Sequence, residues 1–518
     1  MSTTLETGAD SGAPGAAGAD AIAAEIARMR SRHAAAAADV PYTHVSTLRI
    51  GGEDVAATGT ATPVIDPATG EQWGSVPEGS AAEVDAAVRA ARAAFPAWAA
   101  RTPGDRADAL RRMADAIERR AVPLALTNTL ENGSPIAETS GAAANAAAIL
   151  HVFAGLAGFL EEPDIRPFPG GVNETLVARD PVGVCALIAP WNFPINLVVI
   201  KLAPALLAGC TVVIKPASPT PLSVRFLLDA ADEAGIPPGV INLVTGSAAT
   251  GDALVRHPDV DKVAFTGSTP VGRKIAAACG ELLRPVTLEL GGKSAALVLP
   301  DADLDAMSAV LLRSCIRNTG QTCYISTRLI ATPERYDELV DMVTTTVGAA
   351  SVGDPLDPAT VFGPVATAAQ RDGVRALIRA GVAEGARVTL GGDVAAPFDV
   401  GSFVAPTVFA DVRPDMRIAQ EEIFGPVITI LRADDVDDAV AIANGTRFGL
   451  GGIVFGADED AALRVARRID TGSIGINFFA SNHLAPFGGR HDSGLGVEYG
   501  IEGLSAYLTP QSVHRRAR

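Results

Sequence analysis

A regular alternation of strand-like and helix-like segments over residues 182–299 most constrains the fold of this chain. Short apolar, β-branched runs such as VCALIA, CTVVIK and KVAFTG are separated by segments with helical patterning. Strands that are apolar along their whole length are buried on both faces, which happens when helices connect parallel strands. The pattern therefore predicts a parallel sheet with helices on both sides.

The flanking regions extend this α/β organisation. A second α/β region is predicted over residues 303–477, and residues 80–120 predict two amphipathic helices. Residues 1–20 are small and polar and are expected to be disordered. Residues 21–38 predict a loosely packed surface helix. The 518 residues give room for two to four domains of about 100–200 residues each.

Charge and cysteine content exclude several classes of protein. The net charge of −17 argues against nucleic acids and acidic membranes as partners, because both bind basic surfaces. The five cysteines are scattered and include no CxxC pair, so neither a disulfide framework nor a metal site is expected. The N-terminus lacks the pattern of a signal peptide, and the apolar run 197–214 is interrupted by Lys201 and Pro204. We expect a cytoplasmic protein.

Three residues have the chemistry of a catalytic site. Cys323 follows small polar residues and a glycine, where a substrate can reach its thiolate. Glu289 ends an apolar strand, and a carboxylate with apolar neighbours has a raised pKa that suits a general base. Asn192 lies in a loop between two prolines, where its amide can donate to an oxyanion. Each residue alone also fits a structural role: a buried thiol, an ion-paired carboxylate or a turn cap.

A strand-to-helix turn offers a place for phosphate groups. Gly267 and Ser268 follow the strand KVAFT and open a helix, and the N-terminus of a helix favours anions. The sequence here is not the GxGxxG fingerprint, so its spacing alone is a weak signal. Lys215 ends the strand CTVVIK, and ligands of open α/β sheets bind at the carboxyl ends of strands.

Seven motifs in order resemble those of the aldehyde dehydrogenase superfamily. They are PWNFP, the strand ending in KPA, FTGSTPVG, LELGGK, GQTC, EEIFGPV and PFGG. The resemblance covers about residues 64–513. It implies an oxidoreductase that converts an aldehyde to the carboxylic acid with NAD or NADP. Cys323 would form a thiohemiacetal and then a thioester, Asn192 would hold the oxyanion, and Glu289 would activate the hydrolytic water.

The resemblance also implies the cofactor residues and the domain plan. Lys215 would bind the adenosine ribose, Ser268 a phosphate and Glu422 the nicotinamide ribose, with Phe424 near the ring. The other residues expected at the cofactor are Ile188, Pro190, Trp191, Ser218, Gly246, Phe265, Gly267, Val271 and Leu290. The fold would be α/β and aldehyde dehydrogenase-like. It would combine a Rossmann-like cofactor domain (41–166 and 182–290), an α/β catalytic domain (291–485) and a small β oligomerisation element (167–181 and 486–518), preceded by an extension (1–40). A homodimer or homotetramer is expected.

Ser218 bears on the choice between the two cofactors. NAD-preferring members of the family commonly have a glutamate at the position of Ser218, where it binds the ribose hydroxyls. A serine removes the charge that would repel a 2′-phosphate, so the sequence predicts use of both NAD and NADP.

The substrate is the least determined part of the prediction. Arg317 resembles the arginine that anchors the carboxylate in succinate-semialdehyde dehydrogenases, but Ile200 stands where that group has a second arginine. The predicted pocket is otherwise apolar or aromatic and contains Phe193, Thr322, Tyr324, Phe478, Phe479 and Phe487. We therefore favour an apolar, aromatic or terpenoid aldehyde over a diacid semialdehyde.

Three other functions remain open at this point. A CoA-acylating dehydrogenase would pass the thioester to CoA, and such enzymes tend to lack the hydrolytic glutamate, so Glu289 argues against it. A cysteine-dependent esterase would leave the cofactor domain unexplained. A non-catalytic relative is disfavoured by the combination of Cys323, Glu289 and Asn192.

Overall fold

The computed structural model describes residues 16–394 and 398–517. The expectation that residues 1–20 are disordered lies largely outside this range, but residues 16–20 already form part of a helix, Ala16–Ala38. The structure is a mixed α/β assembly built on two large sheets, which confirms the predicted fold class.

Five parallel strands from residues 182–299 lie at the centre of an eight-stranded sheet, whereas the last strand of that predicted run, Ala295–Val298, belongs to the second sheet. In spatial order the strands of the eight-stranded sheet are Glu53–Ala56, Thr47–Ile50, Ile241–Leu243, Thr211–Lys215, Val184–Ile188, Lys262–Thr266, Val286–Glu289 and Gly494–Leu495. In the parallel register Ile188 pairs with Lys215, and Thr266 pairs with Glu289. The carboxyl ends of these strands therefore lie side by side at one edge of the sheet.

Helices cover both faces of this sheet and supply much of the core. Ser80 begins the first of the two predicted helices with a capping box, in which its side chain and that of Glu83 each accept a backbone N–H. The helices of this half are Ala81–Ala99, Pro103–Glu118, Ala121–Asn132, Ile136–Thr139, Ala142–Gly155, Ala157–Glu161, Pro194–Ala208, Arg225–Glu233, Ala248–Arg256 and Thr269–Glu281.

A seven-stranded sheet forms the second half. Its strands, in spatial order, are Arg387–Leu390, Thr407–Ala410, Val427–Arg432, Arg328–Ala331, Ala295–Val298, Gly452–Phe455 and Gly475–Ile476. All neighbours are parallel except the edge strand Arg387–Leu390. Its helices are Leu304–Cys315, Asn318–Gly320 (a 3₁₀ turn), Pro333–Gly348, Ala368–Ala383, Arg417–Gln420, Val436–Asn444 and Glu459–Ala466.

A three-stranded sheet extends away from the two halves. Asp164–Pro167 and Asn173–Pro181 form a hairpin, and Leu508–Arg516 pairs antiparallel with the second strand along its whole length. The chain reaches this last strand from Gly494–Leu495 through the helix Gly500–Ser505, so the C-terminal tail contributes to both the eight-stranded and the three-stranded sheets. Two small antiparallel pairs complete the strands: the hairpin of Ala61–Ile65 with Gln72–Pro77, and Phe448–Gly449 with the distant segment Arg490–His491.

One helical stretch of the described chain, residues 136–161, is long and apolar enough to cross a membrane by length and composition. Its central part, Ala142–Gly155, packs against the helices Pro103–Glu118 and Pro194–Ala208. Leu150 and Phe153 are fully buried there in the largest hydrophobic core. The apolar character of the stretch is therefore explained by packing within the fold.

The N-terminal helix is attached more firmly than its sequence predicts. Met29 is buried against Ala68 and Phe403. One turn later, His33 is buried between two carboxylates, with Nδ1 2.7 Å from Asp66 and Nε2 2.9 Å from Asp354. Asp66 belongs to the first half of the chain and Asp354 to the second, so the helix connects the two. The prediction of a loosely packed helix is therefore wrong. The two aspartates that bind His33 are remote in sequence, so the sequence of the helix does not indicate these contacts.

His33 makes this connection dependent on pH. Burial acts to lower the pKa of His33, but the hydrogen bonds and charges of Asp354 and Asp66 outweigh it and raise the pKa from 6.5 to about 9. Because the pKa of His33 is higher in the folded state than in the unfolded chain, its protonation stabilises the fold. This stabilisation is complete below the unfolded pKa of 6.5 and is lost as the pH rises through the folded pKa of about 9.

We expect His33→Gln to lower the thermal midpoint at pH 6.5, with a smaller difference from wild type above pH 9. Breaking such a buried pair costs about 3–5 kcal/mol.

Differential scanning fluorimetry across this pH range measures the effect. His44→Gln is the matched control, because His44 is exposed and bonds only to the Ser75 hydroxyl. A His33→Gln midpoint equal to wild type at pH 6.5, or a difference that does not change with pH, would contradict the assignment.

Candidate active site

Cys323 follows a loop with an unusual backbone. Asn318, Thr319 and Gly320 all have positive φ, at 53°, 54° and 78°. A Cβ on Gly320 would lie 1.9 Å from the carbonyl oxygen of Gly425, so only glycine fits there. Positive φ at non-glycine residues costs free energy and persists where the surrounding structure imposes it. The loop thus holds Cys323 in one place between the two halves of the molecule.

The Cys323 thiol reaches a cavity but is otherwise enclosed by protein. Burial raises its pKa above that of a free thiol, and the charges of Glu422 and Glu289 raise it further. The backbone N–H groups of Cys323 and Tyr324 act in the opposite direction. The other four cysteines, Cys185, Cys210, Cys279 and Cys315, are fully buried. Cys323 is therefore the one cysteine in the described chain with access to a reactant.

Asn192 is fixed by three neighbours. Its Nδ2 donates to the carbonyl of Gln321 at 2.9 Å, which brings the amide to the cysteine loop. Its backbone carbonyl accepts from the side chains of Asn132 at 3.4 Å and Asn318 at 3.2 Å. The amide has a second N–H that this bond leaves free to donate. Sequence reasoning missed Asn132 and Asn318, because an asparagine that orients another loop has no signature of its own.

Glu289 is buried at the end of its strand, with 3% of its surface exposed. Burial raises the pKa of its carboxyl well above 4.5, and Glu498 raises it further, whereas Lys201 lowers it. Among the described residues its oxygens make no hydrogen bond of normal geometry, although the Gly489 N–H lies near enough to lower the pKa somewhat. Burial therefore favours the neutral form of the Glu289 carboxyl.

A buried ion pair next to Glu289 was not predicted. The Lys201 ammonium, with no exposed surface, donates to Glu498 and to the Thr266 hydroxyl, each at 2.6 Å. Lys201 comes from the helix after the Asn192 loop, and Glu498 comes from the C-terminal tail. In the sequence Lys201 only interrupts an apolar run, because its partner lies almost 300 positions away.

The first of two cavities that share Asn192 in their walls has a volume of about 340 Å³. It lies at the carboxyl ends of the eight-stranded sheet and is lined by Pro190, Trp191, Asn192, Thr266, Gly267, Ser268, Leu290, Gly291, Cys323, Gln370, Glu422 and Phe424, among others. Phe424 has a φ of 55° and packs edge-on against Trp191, with ring centroids 5.3 Å apart. Glu422 accepts the Gly292 N–H at 3.1 Å, and burial raises its pKa to about 7.

The polar groups at this edge fit a dinucleotide. Ser268 is the N-cap of the helix Thr269–Glu281 but makes no capping bond with its side chain, so its hydroxyl is free toward a phosphate. Lys215 is buried and bonds only to the carbonyl of Pro216 at 2.9 Å, which leaves two of its N–H donors. Burial lowers the pKa of Lys215 to about 8, against the nearby charge of Glu78. A Cβ on Gly291 would lie 2.4 Å from Glu422, so a side chain there would fill the cavity wall.

The remaining residues expected at the cofactor are distributed along the same edge. Ile188 ends its strand beside Lys215, and Ser218 donates to the carbonyl of Gly246 at 3.1 Å. Val271 is exposed in the first turn of the helix that Ser268 caps. Phe265 lies beneath the turn, where a Cβ on Gly267 would come within 2.4 Å of its ring.

A second cavity, of about 370 Å³, meets the first at Asn192. Aromatic residues Phe193, Tyr324, Phe479 and Tyr499 line it together with polar side chains. Tyr324 stacks on Phe479, with ring centroids 4.9 Å apart. Asn192 lies at the walls of both cavities, while Cys323 faces the first and Tyr324 the second.

Several residues expected in the pocket stand elsewhere. Ile200 packs within the hydrophobic core, and Phe478 is 62% exposed, while its neighbour Phe479 lines the second cavity. Phe487 lies behind Tyr324, edge-on at 6.1 Å. Thr322 is buried, and its hydroxyl bonds to the carbonyl of Arg317. The sequence could not separate these positions because loop residues lack the periodicity that assigns faces.

Arg317 lines the second cavity but is not free. Its Nε donates to one carboxylate oxygen of Glu138 at 2.8 Å, and its Nη2 lies 2.7 Å from the same oxygen in an ion pair. Its Nη1 donates to the Tyr324 hydroxyl at 3.1 Å. Glu138 was missed from sequence because it lies on a four-residue helix with no recognisable motif.

The raised pKa of Cys323 has a direct chemical consequence. Alkylation of Cys323 by iodoacetamide should be slow at pH 7.5, and its rate should keep rising at pH values where an ordinary thiol has levelled off, since only the thiolate reacts. Glu422→Gln removes a negative charge near the sulfur and should move the profile to lower pH. Mass spectrometry of the Cys323 peptide against time measures the rates.

Glu421→Gln is the control for this experiment. Glu421 is the neighbouring residue, but its carboxylate pairs with Arg417 at 2.7 Å. A profile centred near that of a free thiol, or an equal shift in both variants, would show that Glu422 does not act on the sulfur.

Comparisons with known proteins agree with this geometry. Residues 55–513 match the model of the aldehyde dehydrogenase family. The geranial dehydrogenase of Castellaniella defragrans is 51% identical over 469 residues, which span 90% of this chain and 98% of that protein. A mutant of aldehyde dehydrogenase C from Pseudomonas syringae, complexed with NAD+ and octanal, superposes with a TM-score of 0.87 at 41% identity, covering 90% of this chain and 96% of that one. An NADP-dependent enzyme of E. coli superposes with a TM-score of 0.88 at 38% identity, covering 91% and 98%. The chain belongs to the aldehyde dehydrogenase family.

Proposed function

We propose that this enzyme oxidises an apolar aldehyde, of medium-chain, aromatic or terpenoid type, to its carboxylic acid at Cys323. The observation that carries the proposal is that the two cavities meet at Asn192, with Cys323 in the wall of the first. One cavity has the polar edge that a dinucleotide needs, and the other has an aromatic wall for the aldehyde. The aldehyde carbon would then lie between the sulfur and the cofactor.

The residues at the junction support nucleophilic attack. The Cys323 thiolate forms a bond to the aldehyde carbon, and the carbonyl oxygen becomes an oxyanion. The second N–H of the Asn192 amide and the backbone N–H of Cys323 stabilise that charge, and losing one such donor costs about 10²–10³ in rate in other enzymes. Because Asn132 and Asn318 hold the Asn192 backbone, the donor is in place before the substrate arrives.

NAD or NADP bound here would supply the acceptor for the hydride that leaves the thiohemiacetal carbon as the thioester forms. Lys215, Ser218 and Ser268 would hold the adenosine half, and Glu422 and Phe424 the nicotinamide half. Ser218 places no negative charge beside the ribose, which supports use of both cofactors. The negative charge of Glu78 acts to raise the pKa of Lys215, against the larger effect of burial.

Glu289 is assigned to the hydrolysis of the thioester. It removes a proton from the water that attacks the acyl carbon, and Cys323 leaves as a thiolate. The raised pKa of Glu289 makes it a strong enough base for this step once it has ionised. Burial is the main cause of that raised pKa; the charge of Glu498 adds to it and the charge of Lys201 acts against it. The presence of Glu289 favours hydrolysis over transfer to CoA.

We also infer that the enzyme is a cytoplasmic homodimer or homotetramer. The three-stranded sheet leaves Ile165, Phe168, Val172 and Val513 exposed, and an apolar surface of this kind is typical of protein–protein contacts. The location is inferred from the unpaired cysteines, since all five are free thiols.

Reduced-cofactor formation by purified wild type and Cys323→Ala tests the function. We expect turnover by wild type with octanal, benzaldehyde or citral, and none by the variant, because no other described cysteine reaches the cavity. Each aldehyde is measured with NAD and with NADP at saturating concentrations. Failure of one cofactor to support any turnover would contradict dual use, and activity retained by Cys323→Ala would contradict the thioester mechanism.

Glu289→Gln tests the hydrolytic step separately. We expect the steady-state rate to fall about 10²–10⁴-fold, the usual contribution of a general base. Wild-type kcat should rise with pH as the Glu289 carboxyl loses its proton, and the variant should lack this rise. A burst of reduced cofactor stoichiometric with enzyme, and an acyl adduct on Cys323 by mass spectrometry, would show that the variant is folded and that deacylation is blocked. An unchanged rate would assign the base elsewhere.

A further inference from the structure

The second cavity contains a guanidinium whose donors are already engaged. Arg317 presents the planar fork that binds carboxylates in proteins. Two of its N–H groups, on Nε and Nη2, are directed at Glu138, and Nη1 is directed at the Tyr324 hydroxyl. The face of the guanidinium lies over the Phe193 ring, 5.3 Å from its centroid. Glu138 therefore occupies the Nε–Nη2 edge, one of the two edges by which a guanidinium makes a two-point contact with a carboxylate, and Tyr324 takes a donor on Nη1.

The charges of Arg317 and Glu138 also cancel within the wall. Each side chain is 27% exposed, so the pair is shielded from bulk water. An anionic group entering the cavity would meet a positive and a negative charge at similar distances and gain little net attraction. It would still lose its own hydration, which is costly when no free counter-charge replaces the water.

We propose that Glu138 determines specificity in this enzyme by occupying Arg317, so that the cavity rejects aldehydes that carry a second carboxylate. The inference rests on the proposed aldehyde oxidation and specifies which substrates the site excludes. Uncharged tails meet the aromatic wall of Phe193, Tyr324 and Phe479 without this cost. Removal of the Glu138 charge would expose a carboxylate-binding arginine that is already in place.

Arg313 is the other cation at this cavity. It lies one helical turn before Arg317 and is exposed to solvent at the cavity wall. Its charge is hydrated and screened by salt, so it attracts an anion to the mouth without compensating for dehydration further inside. The rejection of aldehydes with a second carboxylate therefore depends on Arg317 and Glu138.

The experiment compares 5-oxopentanoate with its methyl ester, which share one chain and differ in charge. The quantity measured is the ratio of kcat/KM for the acid to kcat/KM for the ester. Wild type should strongly prefer the ester. Glu138→Gln should raise the ratio about 10- to 100-fold, the scale of one charge-assisted hydrogen-bonded contact. Adding Arg317→Met to Glu138→Gln should reverse the gain.

Glu161→Gln is the matched control, because it removes one negative charge at an exposed position outside the cavity. Its ratio should equal that of wild type. A wild-type ratio near one, a Glu138→Gln ratio equal to wild type, or a gain that survives Arg317→Met would overturn the proposal.

Binding separates this inference from the proposed function. In a Cys323→Ala background, calorimetry should show 5-oxopentanoate binding to the Glu138→Gln protein at least about tenfold more tightly than to the protein with Glu138 intact. If this difference is found while wild type oxidises no aldehyde, the charge selection stands and the proposed oxidation fails. If aldehydes are oxidised and the difference is missing, the role of Glu138 fails alone.

Discussion

The parallel register of the eight-stranded sheet is the constraint on which the site depends. It brings the ends of the strands Val184–Ile188, Thr211–Lys215, Lys262–Thr266 and Val286–Glu289 to one edge, facing the seven-stranded sheet. Every loop that leaves this edge then delivers a functional group to the same region, as Asn192 and Ser268 show. The cysteine loop comes from the other half, so chemistry is possible only where the two halves meet.

Loss of hydration is the second common element of the site. Burial raises the pKa values of Cys323, Glu289 and Glu422 and lowers that of Lys215. Each group is thereby biased toward its neutral form at rest. The groups of such a site carry little net charge until a ligand or a neighbouring group stabilises their charged forms. This property suits a reaction in which an oxyanion forms and then disappears.

The sequence was sufficient for the α/β class, the central parallel strands and the aldehyde dehydrogenase family, because apolar runs and ordered motifs carry that information locally. It was not sufficient for contacts between distant segments. Lys201 meets Glu498, Arg317 meets Glu138, and His33 meets Asp66 and Asp354 only after folding. Nothing in the spacing of these residues predicts their partners. The same limit applies to Phe478 and Phe479, which are neighbours in a loop. Only Phe479 lines the cavity, and the sequence does not indicate which of the two does.

The C-terminal tail links the outer surface of the molecule to its most buried charges. Glu498 lies between the strand Gly494–Leu495, which pairs beside the Glu289 strand, and the helix that leads to Leu508–Arg516 in the three-stranded sheet. A protease that cut between Leu495 and Glu498 would detach the outer strand together with the carboxylate that neutralises Lys201. The ammonium of Lys201 would then remain in the interior without its counter-charge. Limited digestion at this one segment would therefore disturb the three-stranded sheet and the buried charges near Glu289 in a single event.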